Sequence, residues 1–234
     1  MVSEADLGVD KNERSFYFSA MNALALRQNT KGESTRAQIL DAAVNVASES
    51  GFEALTIGSL AEKTGLSKSG LFAHFGSKLD LQIATLDEAA RRFTEAVFLP
   101  ALKVPRGLRR LEALFEGWVD WPDRAALKGC PMNAASEEYN HQPGPMRDAV
   151  LERQRLLERE LAKATQMAVD AGELAPDTDT MQIAFEMVGI VLSYYRCELL
   201  IGHDLARQRA LTAFQRLVDS ARPQPSVSLA ASRR

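Results

Sequence analysis

Lys63, Lys68 and Lys78 are the only formally charged residues between positions 63 and 78, and Ser67 and Ser69 flank the middle one. Cations beside short hydroxyl donors suit phosphate contact, because lysine is a flexible point charge and hydroxyls and helix N-termini donate hydrogen bonds to phosphate oxygens. The chain as a whole carries a formal net charge of -3 with a pI near 5.7. Any affinity for nucleic acid must therefore come from a local basic patch rather than from bulk charge. A second chemistry-bearing group, Glu137, Glu138 and His141, could serve acid–base work or a cofactor in a helical bundle. Against that reading, the chain has no HExxH zinc motif, nucleophile elbow or phosphate loop, and its three histidines stand apart.

The elements that must position these residues are helical. Thr35 with Gln38 can open a first helix, whose apolar face Ile39, Ala42, Ala43, Val46 and Ala47 runs until Gly51. Thr56 caps a short second helix holding Ile57, Leu60 and Ala61. Gly65 supplies a left-handed bend, and Ser67 caps a third helix that ends at Gly76. Ser77 with Asp80 opens a fourth, running to about Leu99. Further helices are expected over 106–119, 133–139, 146–171, 178–201 and 205–220, with no convincing strand. Residues 1–34, which include Met21 as an internal candidate start, read as a mobile arm, and 222–234 read as a disordered tail.

At 234 residues with 46% hydrophobic content, the chain can bury a sizeable core. The apolar run from Met181 to Ile201 has membrane length but contains Glu186, Arg196 and Glu198, which marks it as a buried or interfacial helix. Two distant cysteines, Cys130 and Cys197, suit a reducing, cytoplasmic setting and exclude a disulfide framework. Cys130, next but one to Lys128, is a candidate redox sensor, although a lone cysteine is more often a small buried hydrophobe and no resolving cysteine lies nearby.

A helix-turn-helix needs a small residue where its helices cross, a glycine at the bend and apolar clamps that leave one face free. Ala61, Gly65 and Leu71 fit these roles, and Leu60, Leu66 and Phe75 complete the buried side. Lys68, Ser69, Gly70 and Ala73 are left to face a groove, on a helix short enough to lie in the DNA major groove. The spacing alone is also found in helical bundles that bind no DNA.

The string Leu66-Ser67-Lys68-Ser69-Gly70-Leu71-Phe72-Ala73-His74-Phe75-Gly76-Ser77-Lys78 is more specific. With Thr35-Arg36-Ala37-Gln38-Ile39-Leu40-Asp41-Ala42-Ala43 and Gly51-Phe52-Glu53-Ala54-Leu55-Thr56 before it, the chain resembles the N-terminal domain of TetR/AcrR-family regulators. The resemblance covers roughly residues 35–80; beyond them it rests on helical layout and length. It implies an all-α protein with a three-helix DNA-binding head over 35–80 and a body over 81–221 that binds an effector and a second subunit. Carried across by position, Thr56, His74 and Lys78 would contact phosphates, while Lys68, Ser69 and Gly70 would approach bases. Phe72 stands where many relatives have tyrosine, so a phenol-to-phosphate bond is absent here. The third helix has no Arg, Asn or Gln, and specificity would lean on backbone, hydroxyl, apolar and shape contacts.

For a small-molecule effector the body offers Phe115, Trp118, Trp121, Met132, Phe185, Met187 and Tyr194 as lining, with Asn133, Glu137, Glu138, His141 and Arg196 as orienting groups. No metal or cofactor is implied. The resemblance places the last two helices in a homodimer bundle, where Ile183, Met187, Ile190, Val191 and Tyr194, then Leu211, Phe214, Leu217 and Val218, would form apolar stripes. The resulting expectation is a repressor of pseudo-palindromic operator DNA, released by its effector. The alternatives are a helical enzyme or cofactor-binding bundle, and an architectural DNA binder without ligand.

Overall fold

The computed structural model describes residues 31–223, excluding the side chains of Lys31, Phe72 and Leu199. Residues 1–30 of the expected N-terminal arm, with Met21, and all but the start of the expected tail lie outside the described residues, while residues 31–34 of that arm are helical. Among the described residues the main helices are α1 Lys31–Ser50, α2 Ile57–Thr64, α3 Lys68–Phe75, α4 Lys78–Phe93, α5 Leu108–Val119, α6 Trp121–Arg124, α7 Pro131–Tyr139, α8 Pro145–Asp170, α9 Thr180–Ile201 and α10 His203–Ser220. No strand occurs among the described residues. A π-helical turn, Thr94–Phe98, and a last α turn, Leu99–Ala101, extend α4.

Most of these helices were expected, with three differences. Helix α1 starts at Lys31, so Thr35 lies inside it and does not cap it; a cap contributes only about 1 kcal/mol, and no residue over 31–34 forbids helical dihedrals. The expected continuation of α4 to Leu99 is interrupted by the π turn. Pro100 has no N–H and its ring crowds the carbonyl four residues back, which falls within that turn. Helix α6 was missed because four residues around Pro122 carry no periodicity.

Contacts group the chain into two units, the first comprising residues up to Pro100 with Asp120–Glu160, the second Ala101–Val119 with residues from Leu161 onward. In the first, Ile39, Ala43, Phe52, Leu60, Leu71 and Leu81 are wholly buried, and Ala135, Tyr139 and Met146 join the same core. Residues distant in sequence thus complete the interior beneath α1–α4. Arg92 on α4 bridges to Asp41 on α1 at 2.9 Å, and Glu88 accepts hydrogen bonds from both Arg91 and Arg92. Burial pushes the Glu88 carboxyl up, but the two guanidiniums outweigh it and hold the group below its usual range. Phe93 meets Phe98 and Trp121 edge-on, at 5.9 and 5.6 Å between ring centroids.

In the second unit α9 and α10 form an antiparallel hairpin around Gly202, which takes φ of 88°. Phe214 on α10 stacks on Phe115 of α5, with centroids 4.1 Å apart and planes within 6°. Asp179 caps α9 by accepting from the N–H groups of Met181 and Gln182. The apolar stripes assigned to a partner by sequence are largely used inside the chain. Ile183, Met187, Val191, Tyr194, Phe214, Leu217 and Val218 are all buried, whereas Met181, Phe185, Leu192, Leu200 and Leu205 are left exposed.

Candidate nucleic-acid interface

The α2–α3 corner is built by local chemistry. The Thr56 hydroxyl accepts from the Ser59 N–H at 3.0 Å, and the Ser59 hydroxyl accepts in turn from the Thr56 N–H at 3.2 Å, a reciprocal cap that fixes the start of α2. Gly65 bends the chain at φ 70°. The Ser67 hydroxyl accepts from the Gly70 N–H at 3.1 Å and lies 3.1 Å from the Ser69 hydroxyl, which fixes the start of α3. Leu60 and Leu71 are fully buried between the two helices and Phe75 nearly so, so the corner is clamped from within.

This leaves Thr56, Ser67, Lys68, Ser69 and Ala73 exposed, with Gly70 and His74 half-exposed. The start of α2 and Lys68 lie close together, since a Cβ on Gly58 would stand 3.8 Å from Thr56 Oγ1 and 3.9 Å from Lys68 Cε. Phe72 was a candidate contact, and its side chain lies outside the described residues. Arg36 on α1, which sequence reasoning passed over, places its guanidinium 5.0 Å from the Phe75 ring centroid at the far end of α3. Lys78, the first residue of α4, donates to the Glu53 carboxylate at 2.9 Å and to the Glu53 carbonyl at 3.2 Å. Ser77 caps α4, accepting from the Asp80 N–H at 3.0 Å.

Glu53 belongs to a network that the sequence did not reveal. Gln82 donates to the Tyr139 phenol oxygen at 3.0 Å, and that phenol donates to the Glu53 carboxylate at 2.6 Å. The Tyr139 and Lys78 hydrogen bonds hold the Glu53 carboxyl below its usual range, while burial and then the Glu53 carboxylate raise the Tyr139 phenol. Beside it, Glu138 accepts from the Phe52 N–H at 2.8 Å and the Glu53 N–H at 3.1 Å. Glu138 and His141 stand three residues apart, a spacing used by metal-binding bundles, but this Glu138 carboxylate caps a turn. Among the described residues, no group of three or more His, Cys, Asp or Glu is placed to hold a metal ion. No described helix is long and apolar enough to cross a membrane.

The candidate effector residues fall in both units. Phe115, Trp118, Phe185, Met187 and Tyr194 lie in the second, and Trp121, Met132, Asn133 and Glu137 in the first. Phe115 is buried under Phe214, Met187 is buried in α9, and Tyr194 shares a hydrogen bond with His203 Nδ1 at 3.1 Å. The Trp118 carbonyl accepts from Tyr195 at 2.9 Å. Phe185 is 65% exposed and, with Tyr194 and Cys197, lines an open groove of about 520 Å³ between α9 and α10. Met132 packs on the core beneath α1–α4, and Asn133 donates to Glu137 at 3.4 Å. Arg196 and His141 are exposed, and Cys130 is buried at the start of α7. Trp121 is completely buried, and its indole N–H has no acceptor among the described residues.

Comparison with known proteins agrees with this geometry. The sequence pattern of "Bacterial regulatory proteins, tetR family" matches residues 39–85, and that of "Tetracyclin repressor-like, C-terminal domain" matches residues 107–214. The HTH-type transcriptional repressor AcnR of Corynebacterium glutamicum is 35% identical over 86 residues, which are 36% of this chain and 46% of that protein. The HTH-type transcriptional activator FasR of Mycolicibacterium smegmatis is 31% identical over 86 residues, 37% of this chain and 39% of that protein. The chain thus spans about half the length, or less, of these curated relatives. Among solved structures, a TetR-family transcriptional regulator from Cytophaga hutchinsonii superimposes with a TM-score of 0.74 at 18% identity, covering 85% of this chain and 100% of that one. AibR in complex with isovaleryl coenzyme A and operator DNA superimposes with a TM-score of 0.61 at 20% identity, covering 76% and 96%. At such identities the superpositions establish the fold.

Proposed function

The chain belongs to the TetR family of transcriptional regulators, and from that premise we propose that it is a homodimeric repressor that binds operator DNA through α2–α3 and leaves it when a small, mostly apolar effector binds. The observation that carries the reading is the exposed set Thr56, Ser67, Lys68, Ser69 and Ala73 on a corner whose opposite face is locked by Leu60, Leu71 and Phe75. A rigid two-turn helix with small outward residues suits close approach to a major groove. In this reading Thr56, His74 and Lys78 contact phosphate, while Lys68, Ser69 and Gly70 approach bases. Small Ala73 permits that approach, and Ser67 holds the helix start.

The dimer is assigned to the outer face of α9–α10. Phe185, Met181 and Leu192 are 65%, 48% and 44% exposed there, alongside the groove lined by Ile190, Cys197 and Ala206. A second copy would remove that apolar surface from water. For effector binding, the candidates of each unit are taken by themselves: in the first, Trp121 is the donor offered to a polar acceptor on the ligand, with Met132, Asn133 and Glu137 in the same unit, while Phe185 of the second passes to the dimer face. Glu138 drops from the orienting set because it caps the 52–53 turn. The fold neighbour seen with isovaleryl coenzyme A and operator DNA supports a pairing of effector and DNA on this architecture.

Genome-wide occupancy of the tagged protein, read together with transcript levels after deletion, tests this function. Sharp peaks over a shared inverted repeat, with neighbouring genes rising on deletion, are expected. Occupied genes that fall on deletion would identify an activator, and uniform low occupancy would identify an architectural binder.

A further inference from the structure

Lys78 is the cation closest to the start of α4, and nothing on its own helix explains where its side chain is held. The partners come from elsewhere in the same unit. Its Nζ donates to Glu53, whose other carboxylate oxygen accepts from Tyr139; Tyr139 Oη accepts from Gln82, one turn along α4 from Lys78. Gln82 Nε2 also donates to the Phe52 carbonyl at 3.0 Å and is almost fully buried. Each group in this chain is committed in direction: amide to phenol oxygen, phenol to carboxylate, ammonium to carboxylate. The adjacent Glu138 accepts from the Phe52 and Glu53 N–H groups and so fixes the backbone from which Glu53 projects. Gly51 leaves room for that carboxylate, since a Cβ there would stand 1.7 Å from Glu138 Oε1.

Resting on the DNA-binding reading, we propose that Tyr139 and Glu138 are positioning residues for the phosphate contact of Lys78. They reach no DNA themselves in this account. They fix the rotamer and backbone of Glu53, and Glu53 holds the ammonium in place at the N-terminus of α4, where helix and lysine together face an anion. A lysine carries considerable rotamer freedom, and a lysine already held in place loses less of it on binding phosphate. Two residues of α7, about 60 positions after Lys78, thus become part of the DNA-contacting apparatus.

The test is a double-mutant cycle read as affinity for a short random-sequence DNA duplex over a range of salt. Tyr139→Phe keeps the buried ring and removes only the phenol donor. It is expected to weaken binding about 3- to 10-fold, the size of one hydrogen bond, in the otherwise native protein, and by under about 2-fold when Lys78 is already alanine. An equal loss in both backgrounds overturns the positioning role while leaving Lys78 as a contact. If Lys78→Ala itself changes neither affinity nor salt slope, the DNA-binding reading of Lys78 falls and the positioning role with it. Glu138 supplies a second arm that does not depend on the Tyr139 variant folding. Glu138→Ala should weaken binding and Glu138→Gln, which retains an acceptor oxygen, should restore most of it; no difference between the two overturns the assignment for Glu138.

Discussion

Tyr139 donates a 2.6 Å hydrogen bond to Glu53 from a position 86 residues further along the chain. Through it, α7 belongs to the same unit as α1–α4. The turn between α1 and α2 is therefore held by a side chain on α7 as well as by its own backbone.

Gly51 occupies φ of 80°, and the Glu138 carboxylate fills the space where a Cβ would stand. Gly51→Ala should lower stability by about 1–2 kcal/mol from the left-handed backbone alone, with a further loss as Glu138 is displaced from the Phe52 and Glu53 N–H groups. Urea unfolding followed by circular dichroism reads the change. In a Glu138→Ala background the cost should shrink toward the backbone contribution.

The pair Phe185 and Phe214 separates assembly from folding. Phe214 stacks on Phe115 within the chain and is 4% exposed, so Phe214→Ala should cost about 3–5 kcal/mol at the level of the single subunit. Phe185 is 65% exposed, so Phe185→Asp should leave the helical content intact and shift the sedimentation of the protein from dimer to monomer. A fully folded Phe185→Asp dimer would move the interface off this face.

How much of this was legible beforehand varied with the range of the interactions. The caps at Thr56 and Ser77, the bend at Gly65 and the buried side of the corner are set by residues within a turn or two of each other, and sequence pattern reads such spacing directly. The Glu53–Tyr139 bond could not be read this way, because Tyr139 shows only its place at the end of a short helix. Glu138 stands in the sequence as one of several polar groups that could orient a ligand, with nothing to rank them; only the fold shows which amides lie opposite it. The stripe on α9–α10 was read as a partner surface for a related reason. Periodicity says that Met187 and Phe214 need burial, and only packing says whether Phe115 or a second chain provides it.

Glu88 gives the fold a dependence on acid. Its carboxyl is held below the ordinary value of 4.5, so its contribution is complete above that value and is lost as pH falls through the folded-state value. Glu88→Gln should lower stability at neutral pH and flatten the loss of stability below about pH 4.5, measured as thermal midpoint against pH.

Trp121 tests the effector assignment. Trp121→Phe removes an indole N–H that has no protein acceptor among the described residues and keeps an aromatic ring against Phe93. Helicity and operator affinity should hold, whereas release of DNA by an effector carrying an acceptor group should require a higher concentration by about 2- to 10-fold. Unchanged release would remove Trp121 from the ligand contacts.

The most direct test of the central claim is the affinity of the purified protein for the inverted repeat recovered by occupancy mapping, beside a random duplex of equal length, across a salt series. The account predicts binding at least about 1,000-fold tighter to the repeat, log affinity falling linearly with log salt for both duplexes, and a slope smaller by about one unit in Lys78→Ala. Equal affinity for the two duplexes at every salt concentration, with Lys78→Ala indistinguishable from the native chain, would contradict it.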